Sequence, residues 1–263
     1  MTNSSAGRVT RETRGKIMLI GLDRVASRNA FDEAMLVDLV LALGEYDRDS
    51  QLRCALLFAH GEHFSAGFDL PAVAELFSRD GVLPEGGIDP WGTFGGRRLS
   101  KPLIVAVQGS CCGIAIELML AADINLCASN ARFAQQEVQC GIMPFGGATL
   151  RLPHAAGWGN AMRWLLTGDA FDAAEAYRIG LTQEVMATED LLPRAIRLAE
   201  RVAAQAPLGV QATLATARLA FSQGAEAAAR TLAPLARQLL ASKDAQEGLL
   251  AMQELRAGHF KGQ

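Results

Sequence analysis

Residues Gln108–Gly147 read QGSCCGIAIELMLAADINLCASNARFAQQEVQCGIMPFGG, and two carboxylates stand in that stretch among apolar neighbours. A helix starting near Gly113 is apolar on every side and carries one charge, Glu117. A helix without a polar face is buried, and an isolated charge in such a place is costly unless something compensates it. Twenty residues later Glu137 sits among Phe133, Val138 and Ile142, in a segment ending in Pro144 and the Gly146-Gly147 pair. Two acids in apolar settings point to acid/base chemistry.

The turn ahead of the helix has two readings. Gly109-Ser110-Cys111-Cys112-Gly113 fits G-x-C-x-G, a cysteine form of the nucleophile elbow, with Cys111 as nucleophile and a later Asp and His259 as partners in the order an α/β-hydrolase requires. Alternatively Cys111 and Cys112 are small packed residues, and the helix start supplies the chemistry. The amide of Ile114 then belongs to the unsatisfied first turn, where the helix dipole favours negative charge, so it could hold an oxyanion. Glu117 lies three residues on, and helical side chains lean back towards the N-terminus, which brings its carboxylate near that amide. A plainer role for Glu117, satisfying first-turn N–H groups from inside, also fits the spacing.

Outward from this stretch, the strand and helix patterns alternate. Lys16–Leu22, Cys54–Ala59, Pro102–Val107 and Ile124–Ala128 are short apolar runs of strand length, and Asp32–Tyr46 has helical spacing behind an acidic first turn. Strands alternating with helices predict a mostly parallel sheet covered by helices. Gly61–Leu70 is a glycine-punctuated loop, a helix starts at Pro71 with Asp69 as its cap or first-turn acid, and Gly81–Gly96 is a long irregular loop holding Trp91 and Phe94. Loops of that length commonly wall a pocket. From Ala148 onwards the pattern is helical: 160–166, 173–179, 191–204, 209–221, 225–240 and 244–256. No repeat of solenoid or propeller period is present.

The chain has 263 residues, half of them apolar, and a formal net charge of −3 with no run of Lys or Arg. Such a chain can bury a sizeable core and offers no dedicated nucleic-acid surface. No stretch has the length and apolarity of a membrane span and the start lacks a signal-type apolar core, so a cytoplasmic protein is expected. The five cysteines lie in apolar surroundings without CxxC spacing, which fits reduced, packed thiols. HExxH, GxxxxGK[ST] and strand-borne GxGxxG patterns are absent, and His60, His63, His154 and His259 lack a ligand-like grouping, so no metal site is expected.

Four motifs in register resemble the enoyl-CoA hydratase/isomerase (crotonase) superfamily over nearly the whole chain. They are Arg24–Phe31 (RVASRNAF), Phe64–Leu70 (FSAGFDL), Gly109–Asp123 and Phe133–Gly147. The resemblance implies an α/β fold of ββα spiral units with sheets flanked by helices over residues 1–195, then a helical trimerisation region over 196–263. It implies an oxyanion hole from the amides of Phe68 and Ile114, with Glu117 and Glu137 as the two catalytic glutamates. Coenzyme A contacts are implied for Arg28, Ala30 and Ala66, and for Lys261, with Phe260, toward a neighbouring subunit; Trp91 and Phe94 would wall the acyl pocket. The implied activity is hydration of an α,β-unsaturated acyl-CoA by a homotrimer or dimer of trimers, with no separate cofactor because CoA arrives on the substrate. The alternatives are an isomerase or thioester hydrolase of the same fold, or a catalytically weak acyl-CoA-binding protein. The chain departs from the family pattern in having Gly113-Ile114-Ala115 for a glycine triplet and Val25 for a proline.

Overall fold

The computed structural model describes residues 6–73 and 83–263. Within the polar N-terminal arm lies a strand, Arg8–Arg14 (β1), which pairs antiparallel with Ile17–Asp23 (β2). Sitting at the edge of its sheet with Val9 as its buried residue, β1 has no apolar run to betray it in the sequence. The other strands are Cys54–Ala59 (β3), Leu103–Val107 (β4), Ser110–Cys112 (β5), Ile124–Ala128 (β6), Arg132–Ala134 (β7), Ala170–Asp172 (β8) and Glu184–Met186 (β9). A six-stranded sheet has the order β1-β2-β3-β4-β6-β9, parallel except at β1, and β5, β7 and β8 form a second sheet of three.

The helices are Glu33–Arg48 (α1), Leu70–Val73 (α2), Ile114–Ala121 (α3), Ala148–Ala156 (α4), Trp158–Thr167 (α5), Ala173–Arg178 (α6), Thr188–Ala203 (α7), Pro207–Gln223 (α8), Ala225–Leu240 (α9) and Lys243–Gln253 (α10). Asp32 caps α1 by accepting from Met35 N at 2.9 Å. The predicted helix from Pro71 is seen as α2, and its continuation lies outside the described residues, as do positions 81 and 82 of the predicted loop. Asp69 stands at the N-cap position of α2, directly before Leu70, and its Oδ2 also accepts from Arg24 Nη1 at 2.9 Å.

Burial on both faces explains why the central strands read as unbroken apolar runs. Ile17, Leu19, Leu56, Ile104 and Leu126 pack against Leu191, Ala195 and Ala199 of α7, while Met18, Ile20, Leu57 and Val105 face the main core with Leu39 and Leu43 of α1. The boundary expected between 195 and 196 falls inside α7, whose buried face covers the sheet as far as Ala203.

The chain winds as a spiral. It passes through a strand of the large sheet, then a short strand of the small one, then a helix: β4 to β5 to α3, and β6 to β7 towards α4. A turn before them, β3 leads to Ser65, which bridges Cys111 of β5, and then to α2. The C-terminal tail folds back: the amides of Lys261 and Gly262 both donate to the carboxylate of the buried Asp244, at 2.7 Å each.

Candidate active site

Successive turns of the spiral bring the segments around Phe68 and Ile114 together. Ser65 N donates to Ser110 O and Cys112 N donates to Ser65 O, both at 3.0 Å, so the two segments run parallel and side by side. Three residues beyond that bridge the chains reach Phe68 and Ile114. Each follows a glycine at positive φ: Gly67 at +93° and Gly113 at +55°. A side chain is unwelcome at either, since a Cβ on Gly67 would lie 3.0 Å from Cys112 O and one on Gly113 would lie 2.9 Å from Glu137 Oε1. Phe31 N donates to Gly67 O and Asp69 N to Phe31 O, which turns the Phe68 N–H away from Phe31. Ile114 is the first residue of α3, so its N–H has no acceptor within its own helix.

Glu117 is 1 % exposed on α3. Its carboxylate reaches across to another element: Oε2 accepts from Gly146 N at 2.9 Å and Oε1 from Ala148 N at 2.8 Å. It therefore compensates the amino end of α4 and not, as the plainer reading had it, that of its own helix. Burial pushes the carboxyl up to about 7, against the opposing pull of the Ala148 and Gly146 amides; Glu137 adds to the rise and Arg151 opposes it. Near neutral pH such a group can both take and give a proton.

Glu137 opens a 3-10 turn, Glu137–Cys140, after β7. Its Oε1 accepts from Gln135 Nε2 at 3.0 Å, and its buried Oε2 has no hydrogen-bond partner among the described residues. Burial raises this carboxyl above its ordinary range, opposed by its own backbone and by Gln135. The two acids thus come from different elements: Glu137, on the 3-10 turn, lies against Gly113 at the head of α3, and Glu117, on α3 itself, lies against Gly146 ahead of α4.

Aromatic rings border the same place. The predicted wall residue Trp91 is fully buried and donates its indole N–H to Ile114 O at 3.0 Å, and Phe94 meets it edge-on at 5.6 Å. Sequence reading missed Phe145, which stacks on Phe68 at 5.8 Å with an interplanar angle of 7°. It also missed Asp89, whose carboxylate accepts from the amides of Trp91, Gly92 and Phe94 and so shapes this wall. A cavity of about 540 Å³ lies on the other side of Trp91 and Arg151, against α8; neither glutamate lines it.

Of the residues expected to meet CoA, Arg28, Ala30 and Ala66 come together: Ala66 N donates to Arg28 O at 2.9 Å, and the exposed Arg28 acts electrostatically on the Cys112 thiol. Lys261 does not join them in its own chain. The tail is held near the start of β3, where Arg53 Nη2 donates to Phe260 O at 2.6 Å, at the opposite end of that strand from Ala66.

The elbow reading fails on geometry. Cys111 lies wholly buried in β5 and burial raises its thiol well above the ordinary value, while His259 is on the distant tail with its amide on Glu247. A buried, protonated thiol is a packing group. His60 and His63 are likewise structural, the first against Thr10 Oγ1 and the second accepting from Ser110 N.

Comparison with known proteins agrees with this layout. The family model for enoyl-CoA hydratase/isomerase matches residues 12–263. An enoyl-CoA hydratase of Mycobacterium tuberculosis is 33 % identical over 254 residues, 95 % of each chain, and a carnitinyl-CoA dehydratase of Proteus mirabilis is 36 % identical over 259 residues, covering 95 % of this chain and 97 % of the relative. Among solved structures, a probable enoyl-CoA hydratase/isomerase of Mycobacterium abscessus superposes with a TM-score of 0.94 at 50 % identity, covering 97 % of this chain and 98 % of that one. The family-model match over residues 12–263 and relatives of 33 % and 36 % identity over 95 % of the chain make this chain a member of the enoyl-CoA hydratase/isomerase family, of the crotonase superfamily.

Proposed function

We propose that the protein adds water across the double bond of an α,β-unsaturated acyl-CoA. The observation that carries the reading is the pair of carboxyls at the head of α3, both raised by burial, one held by two amides and the other keeping an oxygen without a partner among the described residues. In the reaction the oxygen of water bonds to the β-carbon, the π electrons move towards the thioester oxygen, a proton leaves the water and the α-carbon gains one. The N–H groups of Phe68 and Ile114 would hold the oxygen as it becomes negative, where fixed donors in a dry site are worth most. Glu117, each of its oxygens already accepting an N–H, suits the role of orienting the water and taking its proton. Glu137, whose Oε2 has no partner among the described residues, suits delivery of a proton to the α-carbon. The dehydratase relative fits the same scheme run backwards.

The test is a panel of enoyl-CoA thioesters followed by loss of the conjugated chromophore and by product mass. Hydration predicts a 3-hydroxyacyl-CoA heavier by one water. A shifted double bond at constant mass, or free CoA with no hydrated product, would replace this reading by the isomerase or the hydrolase.

The grouping of Arg28, Ala30 and Ala66 at the rim supports CoA binding there. Arg28→Ala is expected to raise the KM for acyl-CoA in a salt-sensitive way with little change in kcat, since an exposed guanidinium on phosphates contributes binding alone. An unchanged KM would remove Arg28 from the CoA site.

The carboxy-terminal helices expose Leu232, Leu240, Leu249 and Met252, the last at 73 %. With the family membership, this apolar surface supports assembly into a trimer or a dimer of trimers, in which the tail bearing Lys261 would approach CoA of a neighbour. Light scattering should give a mass three or six times that of the chain; monomer at micromolar concentration would refute it.

A further inference from the structure

A ring of hydrogen bonds begins and ends on the first turn of α3 and passes through Arg151 of α4. Trp91 Nε1 donates to Ile114 O at 3.0 Å, and Arg151 Nη2 donates to Trp91 O. The same guanidinium donates through Nη1 to Gly146 O at 3.1 Å, and Gly146 N donates to Glu117 Oε2 at 2.9 Å, three residues from Ile114 on one helical turn. Asp89 stiffens the Trp91 corner by accepting from three loop amides. The fit around the guanidinium is close: a Cβ on Gly147 would stand 2.0 Å from Nη1.

We propose that Arg151 is a positioning residue that locks the Ile114 peptide and the Glu117 carboxylate in fixed relation, through two carbonyls that its planar fork can bridge at once. The inference rests on the hydration reading, in which Ile114 N–H holds the oxyanion and Glu117 handles the water. A lysine in the same place is a point charge without the fork, so geometry and charge are separable by substitution.

The cation also bears on Glu117. Facing that carboxyl are the Gly146 and Ala148 amides and Arg151, which hold its proton affinity down, and Glu137 of the 3-10 turn, which raises it. Arg151 in turn faces Arg98 and Asp89 of the preceding loop, the first opposing and the second favouring its charge. Removing the charge therefore moves the Glu117 titration to higher pH, and keeping it on Lys leaves the titration near its place.

The experiment uses Arg151→Gln and Arg151→Lys in the full chain. Arg151→Gln is expected to lower kcat on an enoyl-CoA substrate by about 10- to 100-fold with KM changed less than about threefold, because displacement of reacting groups by an ångström or less acts on turnover. Its Glu117 midpoint, read by carbon NMR of carboxyl-labelled glutamate and assigned by its loss in Glu117→Gln, should rise. Arg151→Lys should keep that midpoint close to the parent's and still show the lowered kcat. A merely structural arginine would give variants of reduced stability whose folded fraction has parental kcat and midpoint, and that result overturns the proposal. If the parent itself hydrates no enoyl-CoA, the hydration reading fails, and the NMR titration still decides whether Arg151 governs Glu117.

Discussion

Replacing Glu137 by Gln is expected to lower hydration turnover by roughly 10²–10⁴-fold, the range for a positioned acid/base group, with little change in thermal midpoint. Oε1 of Glu137 accepts from the Gln135 amide and Oε2 has no hydrogen-bond partner among the described residues, so the oxygen of a Gln side chain can keep the Gln135 bond while the proton-carrying function is lost. Glu117→Gln should lose turnover on the same scale but behave differently as a protein. Both oxygens of Glu117 accept N–H groups, and a Gln has one oxygen to offer, so its NH₂ must face either Gly146 N–H or Ala148 N–H. A buried amide left without an acceptor costs about 1–3 kcal/mol. The double variant should lose much less than the product of the two factors, since groups acting on one water work as a unit. Near-normal hydration by Glu137→Gln would take that residue out of the chemistry.

The stability difference has a pH sign. Burial lifts the folded-state value of Glu117 from 4.5 to about 7, so the folded protein binds the proton more tightly than the unfolded chain between those values. Stability of the parent therefore falls as pH rises through that window, by about 3 kcal/mol in all, and levels off above it. Glu117→Gln carries no such titration. The stability gap between parent and variant is thus largest below the window and narrows towards neutrality; denaturant titrations at pH 4.5 and pH 7.5 measure it, and a gap that widened with pH would mean that Glu117 is held ionised.

What could be read from the sequence divides along physical lines. The parallel strands β2, β3, β4 and β6 were legible because burial on both faces leaves unbroken apolar runs, and Glu117 because one charge interrupts an otherwise apolar helix. Strands β5, β7, β8 and β9 have three residues each and exist through their partners, so no periodicity marks them, and the reading of everything past Ala148 as helical passed over the last two. The groups that hold Glu117 were illegible for a different reason. They are backbone N–H groups at Gly146 and Ala148, and an amide has no residue identity; the Gly146-Gly147 pair was the one trace of them. Phe145 and Arg151 lay in the same segment without any local pattern to set them apart, because their significance comes from Phe68 and Trp91, contributed by loops far away in sequence. The proposed role of Lys261 depends on a neighbouring chain, which the tail's own packing on Asp244 neither requires nor prevents.

Gly113→Ala is expected to reduce turnover by about 10²–10³-fold, the effect of losing one oxyanion donor, while lowering stability by only about 1–3 kcal/mol. The residue stands at φ +55 and ψ −124, a conformation that strains any side chain. A Cβ there would lie 2.9 Å from Glu137 Oε1, and because that oxygen ends a flexible side chain the protein can relieve the contact by moving the carboxyl or by rotating the peptide that carries Ile114 N–H. Either relief is tolerable for folding and damaging for the proposed chemistry, since one shifts the proton donor and the other turns the oxyanion donor away. Gly157, between α4 and α5, supplies the control: its φ is +78 and nothing lies within 4 Å of its Cβ position, so Gly157→Ala should carry the backbone strain with normal turnover. Comparing kcat of the folded fraction in the two variants separates strain from site geometry. Should Gly113→Ala match Gly157→Ala in both stability and turnover, the amide of Ile114 is not holding charge in the transition state, and the oxyanion would have to be held elsewhere in the chain.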